Sequence, residues 1–258
     1  MPAKPLFEEL DYRQTPLGEL ILRRRTYSQL DDLDVFEVIL GDGFLMSSLF
    51  TVVEVALADL GLAAVAEAFS AGEELEVVIG GLGLGYTARA ALKNEAVRNL
   101  YVVDYMEGVI EWHQKGLVPL GPELTADARC QFVLGDFFKL ALADEKGPGF
   151  DPSDPGRKFH AVLLDIDHSP AHLLHERHAE FYRAEGLRTL AAKLHPGGVF
   201  ALWSDDPPEE TFMAALAEVF DSSESHIVKF DNPLLECESE STVYVARKAL
   251  ERSSSSKS

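Results

Sequence analysis

The stretch Val77-Val78-Ile79-Gly80-Gly81-Leu82-Gly83-Leu84-Gly85-Tyr86 decides the fold. An apolar run the length of a buried strand ends abruptly in glycines and passes into Thr87–Lys93, whose spacing is helical. Glycine admits positive φ and lets the backbone approach a ligand closely. The run therefore reads as strand, ligand-cradling loop and helix start, with a ligand-free tight turn as the plainer alternative. The spacing Gly81-x-Gly83-x-Gly85 is GxGxG, whereas the pyrophosphate fingerprint GxGxxG would need glycine where Tyr86 stands. Gly80, Gly81, Gly83 and Gly85 are candidate ligand-binding positions.

Downstream, apolar runs at Leu75–Ile79, Leu100–Val103, Gln131–Leu134, Ala161–Leu164 and Val199–Trp203 alternate with amphipathic stretches around Thr87–Lys93, Gly108–Lys115 and Glu176–Leu194. That alternation signals a parallel sheet. The last helical stretch is expected to stop at His195-Pro196-Gly197-Gly198, a breaker followed by a tight turn. Ser225–Phe230 and Ser241–Ala246 are separated by too few residues for a helical crossover and should pair antiparallel. Upstream, Leu20-Ile21-Leu22 and Val35–Leu40 are strand-like, and Gly41-Asp42-Gly43 reads as a hairpin turn before Phe44-Leu45-Met46. Ser47 or Ser48 then suits the cap of a helix with Leu49, Phe50, Val52, Val53, Ala56, Leu57 and Leu60 on its apolar face. The expected organisation is a small β-rich lobe over residues 1–47, a nucleoside-binding α/β domain over 48–251 and a serine-rich disordered tail over 252–258. The expected fold is α/β and Rossmann-like, of the class I methyltransferase type, with a mostly parallel seven-stranded sheet.

Ligands in such sheets lie at the carboxyl ends of the strands, which directs attention to the acids there. Asp104 ends the second run about twenty residues after the glycines, where a carboxylate accepts ribose hydroxyls; Tyr105 and Met106 offer apolar surface to a base. Asp136 ends the third run and suits an adenine amino group, a helix N-cap, or both, with Phe137 beside the ring. The fourth run ends in Leu164-Asp165-Ile166-Asp167-His168-Ser169-Pro170. Asp165 is the candidate general base or amine ligand, Asp167 a second acid or a buried cap, and His168 a further acid/base group. Trp203 is a candidate pocket wall and Asp206 a helix cap. His172, His175 and His178 would share one side of a helix, but His175-Glu176-Arg177-His178 is not HExxH, so no metal site is expected.

With these residues in hand, the chain resembles the spermidine synthase-like family. The likeness runs from about Leu40 to Trp203 and includes Leu40-Gly41-Asp42-Gly43, Glu54, Ile79-Gly80-Gly81, Asp104, Gly135-Asp136, Leu164-Asp165 and His195-Pro196-Gly197-Gly198. It implies that Asp104 holds the ribose, Asp136 the adenine, and Asp165 the amine acceptor or its proton. The pattern departs from aminopropyltransferases in three places. The GGGDGG aspartate that holds the donor's amino group is Gly83, the tyrosine-histidine pair before Glu54 is Val52-Val53, and DSSDP or DSTDP has become Asp165-Ile166-Asp167-His168-Ser169-Pro170. The nucleoside half is kept while the polyamine half is largely lost. Methyl transfer from S-adenosylmethionine to a small acceptor, which could be an amine, is therefore the expectation. The alternatives are an aminopropyltransferase using decarboxylated S-adenosylmethionine, with Asp167 or Asp205 replacing the missing amine ligands, and a non-catalytic nucleoside-binding scaffold.

Composition narrows the setting. The 258 residues carry 43 acidic and 23 basic side chains, a net charge of −20 that repels phosphate backbones and suits a cationic small molecule. Neither nucleic acid nor membrane is expected as a partner, and a homodimer is left open. Two cysteines cannot build a disulfide framework, the N-terminus lacks a signal-peptide pattern, and the apolar stretch Leu49–Ala68 is broken by Glu54, Asp59 and Glu67. A cytoplasmic protein is the simplest reading.

Overall fold

The computed structural model describes residues 6–144 and 146–251; the expected tail over 252–258 lies outside them. Four strands come first, β1 (Phe7–Thr15), β2 (Gly18–Tyr27), β3 (Leu33–Leu40) and β4 (Gly43–Ser47), forming an antiparallel meander in chain order. Alternation drives this sheet: Leu20, Leu22, Val35 and Val38 point inward. Arg23 and Arg24 pair with Glu37 and Glu8 across the neighbouring strands. The basic triplet is thus largely spent inside the sheet. Strand β1 was not anticipated, because FEELDYRQT is polar and is held by backbone pairing to β2 rather than by burial.

Helix α1 (Val52–Ala66) starts later than the expected serine caps. Ser47 belongs to β4, and the Ser48 hydroxyl accepts from Phe36 N–H at 2.9 Å, so neither is free to cap, and Leu49 and Phe50 lie ahead of the helix. Close packing of α1 on the main sheet needs Gly61, where a Cβ would fall 2.6 Å from Leu163.

The remaining elements are β5 (Leu75–Gly80), α2 (Tyr86–Leu92), β6 (Val97–Asp104), α3 (Glu107–Gln114), α4 (Gly121–Ala126), β7 (Cys130–Leu134), α5 (Phe137–Leu142), β8 (Phe159–Leu164), α6 (Ala184–Ala192), β9 (Leu194–Ser204), α7 (Glu210–Val219), β10 (Ser222–Asn232) and β11 (Cys237–Arg247). They form a seven-stranded sheet of order β10-β11-β9-β8-β5-β6-β7. Strands β5 to β9 pair in parallel, and the terminal hairpin β10–β11 joins antiparallel, as its short connection requires. The Rossmann-like fold with its separate N-terminal sheet is the expected one. Helices cover both faces, giving two apolar layers either side of β5, buried except at Glu76, and a fully buried β8. The chain order reverses on either side of β5, so a crevice opens at the ends of β5 and β8.

Two local expectations change. Glu176–Leu194 is not one helix but a 3-10 turn (Glu176–Glu180) followed by α6. His195-Pro196-Gly197-Gly198 does not precede β9 but lies inside it: β8 advances two residues, Phe159 to Ala161, while β9 advances five, Leu194 to Val199. Gly197, with φ +82°, absorbs that excess as a bulge. Among the described residues, no helix is long and apolar enough to cross a membrane.

Candidate active site

A cleft lies over the carboxyl ends of β5, β6, β7 and β8, closed on one side by the N-terminal sheet through Leu20, Val38, Leu40, Leu45 and Met46. Its floor is the glycine loop. Gly81 has φ +95°, and a Cβ there would fall 2.1 Å from the Asp165 carbonyl oxygen, because the segments after β5 and β8 cross at this point. Gly83 has φ +48°, and its missing Cβ would collide with Met46 Sδ at 2.4 Å. The Met46 sulfur also accepts the Leu84 N–H at 3.1 Å, so a thioether fills the space above Gly83. Two of the four candidate glycines do not line the cleft. A Cβ on Gly80 would meet the Phe137 ring, and one on Gly85 would meet Leu124 and His113, so these two serve packing. His113 Nε2 lies 3.0 Å from the Gly83 carbonyl and supports the loop from behind.

Asp104 is buried at the end of β6 and lines the cleft. Its Oδ2 accepts from Leu82 N–H at 2.9 Å and its Oδ1 from Met106 N–H at 2.7 Å. The same carboxylate that faces the cleft therefore ties the glycine loop to the start of α3. Burial pushes its pKa up, partly offset by these backbone bonds. With Gly83 N–H as a third backbone donor, the carboxylate still keeps lone-pair capacity for a ligand hydroxyl. Asp136 caps α5 through Lys139 N–H, and its Oδ2 is buried without an aligned hydrogen bond, although the Arg177 guanidinium lies at 3.3 Å. Arg177 also stands over the Tyr105 ring at 5.6 Å. Phe137, Phe138 and His178 complete this aromatic end of the cleft.

The other end is acidic. Asp165 accepts from the Thr87 hydroxyl at 2.9 Å, and burial raises its pKa to about 6. Glu54, from the first turn of α1, is raised to about 8 by burial and then by the charge of Asp165. A second cavity continues from here, sharing Leu45, Met46, Glu54, His168 and Trp203 with the first. Its walls are Phe44, Phe50 and Phe230, and Asp205 and Glu240 stand on its border. Among the described residues, Arg177 is the only Lys or Arg lining either cavity, and it is engaged by Asp136.

Several sequence assignments move. Asp167 does not reach the cleft: it is fully buried, and its carboxylate accepts from Leu174 N–H, His178 Nδ1 and Tyr182 OH. In extended backbone residues two apart would share a face; the bends after β8 ends at Leu164 are what send Asp165 and Asp167 to different surroundings. Asp206 does not cap α7, which begins at Glu210 after Glu209. It accepts from Ser169 Oγ and pairs with His172, and the Ser169 bond is the main cause of its lowered pKa. His172, His175 and His178 share no helix: His172 faces Asp206, His175 caps the 3-10 turn and His178 faces Asp167. No group of three or more His, Cys, Asp or Glu positioned to hold a metal is found among the described residues. Glu54 was quoted in the sequence only as part of a resemblance, although a carboxylate in the first turn of an otherwise apolar α1 was a usable signal. Met46, Thr87 and Arg177 carried no such signal, since only tertiary contacts bring them to the cleft, and His178 was marked only as one of a histidine stripe.

No family model matches the chain. Polyamine aminopropyltransferase 2 of Pseudomonas aeruginosa is 29% identical over 164 residues, which are 60% of this chain and 42% of that protein. The alignment thus spans less than half the length of the curated relative. A spermidine synthase solved with the transition-state analogue AdoDATO matches with a TM-score of 0.68 at 16% identity, over 94% of this chain and 74% of that one. The Thermotoga maritima spermidine synthase gives 0.66 at 16% identity over 94% and 73%, and a probable spermidine synthase of Corynebacterium glutamicum 0.61 at 15% over 98% and 84%. These likenesses carry the fold and support the resemblance read from the sequence. They also overturn the expectation of methyl transfer, since the relatives are named for aminopropyl transfer and spermidine synthesis, which the sequence reading had ranked second.

Proposed function

We propose, on the premise that the chain is spermidine synthase-like, that its cleft transfers an aminopropyl group from decarboxylated S-adenosylmethionine to the nitrogen of a small amine. The observation that carries this reading is the convergence of Glu54 and Asp165 at one end of an apolar cleft, with no uncommitted lysine or arginine beside them among the described residues. Two acids whose ionisation is suppressed by burial and by each other are completed by a cation. An ammonium entering between them restores both charges, and the aromatic annex with Trp203, Phe44 and Phe50 accepts its carbon chain.

The nucleoside end fits the donor in two respects. Asp136 Oδ2 is a buried acceptor without an aligned partner, suited to an exocyclic amine, and the Asp104 carboxylate faces the cleft at the end of β6. Asp104 receives the ribose hydroxyls. At Gly83 no acid is available to hold the donor's amino group, and Met46 occupies that space; the aminopropyl end is recognised by Glu54 and Asp165 or by shape.

The donor supplies an aminopropyl carbon activated by a neighbouring sulfonium. The protein orients the acceptor and removes its proton. Asp165, raised to about 6 and held by Thr87, takes the proton from the bound ammonium, leaving a nitrogen lone pair. The C–N bond forms as the C–S bond breaks, and the bonding electrons return to sulfur, leaving a neutral thioether nucleoside. Glu54 holds the acceptor and keeps a negative field near the reacting carbon.

The direct test is incubation with decarboxylated S-adenosylmethionine and a panel of mono- and diamines, with mass-spectrometric detection of 5′-methylthioadenosine and the aminopropylated amine. Matched formation of both, lost in Glu54→Gln and Asp165→Asn, supports the reading. Absence of both products across the panel refutes it.

A further inference from the structure

Asp167 and His178 form a buried pair that the transfer chemistry leaves unused. The Asp167 carboxylate accepts from Leu174 N–H at 2.7 Å, from Tyr182 OH at 2.9 Å, and from His178 Nδ1 at 2.9 and 3.0 Å. The His178 ring stacks on Phe138 with centroids 3.8 Å apart and planes 19° apart. An ionised carboxylate only accepts hydrogen bonds, so Nδ1 carries the ring proton, and in the neutral imidazole Nε2 is an acceptor. His178 is 5% exposed yet lines the cleft, and among the described residues no hydrogen-bond partner meets Nε2.

Its surroundings fix which end of the cleft it serves. Arg177, the preceding residue, lies beside Asp136 and over Tyr105, and Phe138 packs on the imidazole face. None of these residues borders the acidic annex. Two acceptors, Asp136 Oδ2 and His178 Nε2, therefore stand at the aromatic end. An exocyclic amino group on a purine donates to His178 Nε2 and has a second N–H for Asp136 Oδ2, which also faces the Arg177 guanidinium; a 6-oxo group would set an acceptor against Nε2.

We propose that His178 reads the 6-amino group of the donor's purine, and that Asp167 and Tyr182 are positioning residues that set the tautomer with which it reads. The inference rests on the adenine-nucleoside reading above. It assigns base selection to residues that the sequence placed in catalysis or in a histidine stripe.

The test measures, by calorimetry, the affinities of the full chain for 5′-methylthioadenosine and 5′-methylthioinosine. The unmodified protein should favour the 6-amino ligand by about 10- to 100-fold, the effect of leaving a buried acceptor unpaired. In Asp167→Asn the Leu174 N–H holds the amide oxygen at the Oδ1 position, 2.9 Å from Nδ1, while the amide NH2 takes the Oδ2 position, 3.0 Å from Nδ1, so the two oxygens that fix the ring proton on Nδ1 become one oxygen and one donor. The ring proton is then shared between the two nitrogens, and the preference should shrink by about tenfold. A purely structural role would weaken both ligands alike. His178→Gln offers a second route should Asp167→Asn not fold, because its amide can turn either end to the base and the preference should collapse toward unity. An unchanged preference in the folded variants, or a 6-oxo preference in the unmodified protein, would overturn the inference while leaving the donor reading intact. Failure of the unmodified protein to bind either nucleoside would overturn the donor reading and this inference with it.

Discussion

Replacing Glu54 by glutamine tests the acidic end of the cleft through stability alone, without knowledge of any substrate. Glu54 titrates near 4.5 when unconstrained and is raised to about 8 in the folded protein, by burial first and by Asp165 second. The sign follows from linkage. Below about pH 4.5 both folded and unfolded chains hold the proton, and the full stability is present. Between 4.5 and 8 the folded chain binds more protons than the unfolded one, so stability falls as pH rises, and above 8 the loss is complete. At about 1.36 kcal/mol per pKa unit, the upper limit of that loss is about 5 kcal/mol. This is a large part of the ~5–15 kcal/mol that holds a typical domain together. Asp165, raised from 3.8 to about 6 by burial, adds a loss of the same sign that is complete at lower pH. His113, His160 and His195, whose pKa values burial lowers, add a slope of the opposite sign that is common to both proteins, so the difference between them is the readout. Measured by urea unfolding from pH 5 to pH 9, the stability of Glu54→Gln relative to the unmodified protein should rise up to about pH 8 and then level off. A millimolar amine should recover part of the loss in the unmodified protein only. Parallel pH profiles for the two proteins would refute the opposed-carboxylate reading of this site.

Asp104→Ala should destabilise the fold as well as abolish nucleoside binding, because Leu82 and Met106 N–H groups both lose their acceptor. At about 1–3 kcal/mol for each buried donor left unpaired, the cost is about 2–6 kcal/mol. A thermal midpoint within a degree of the unmodified protein would count against it. Gly81→Ala should lose at least about 2 kcal/mol, or roughly 4–8 °C in melting temperature, since its Cβ would lie 2.1 Å from a carbonyl at φ +95°; differential scanning calorimetry gives the answer directly. Asp165→Asn should lower single-turnover aminopropyl transfer at saturating donor by about 10²–10⁴-fold. A rate within a few-fold of the unmodified protein would remove Asp165 from the proton path.

Much of this molecule was written in local patterns. The β5 run and its glycines, the alternation from β5 to β9 and the short link between β10 and β11 each depend on residues close in sequence, through burial, φ requirements and loop length. Such constraints act before any tertiary contact and can be read without one. Asp104, Asp136 and Asp165 were legible for the same reason, since strand ends in a parallel sheet mark the crevice.

What the sequence could not decide was which way a side chain faces in irregular backbone, and what fills the space opposite a glycine. Asp165 and Asp167 are equivalent as letters; only the fold of residues 165–182 buries one against His178 and Tyr182 and leaves the other beside Glu54. Gly83 reads as a missing acid, yet its vacancy is filled by Met46 from a separate sheet. Ser47 and Ser48 read as caps until β3 and β4 claim them. In each case the deciding contact joins residues far apart in the chain or on irregular backbone, where neither periodicity nor propensity acts, and three-dimensional packing alone selects the partner.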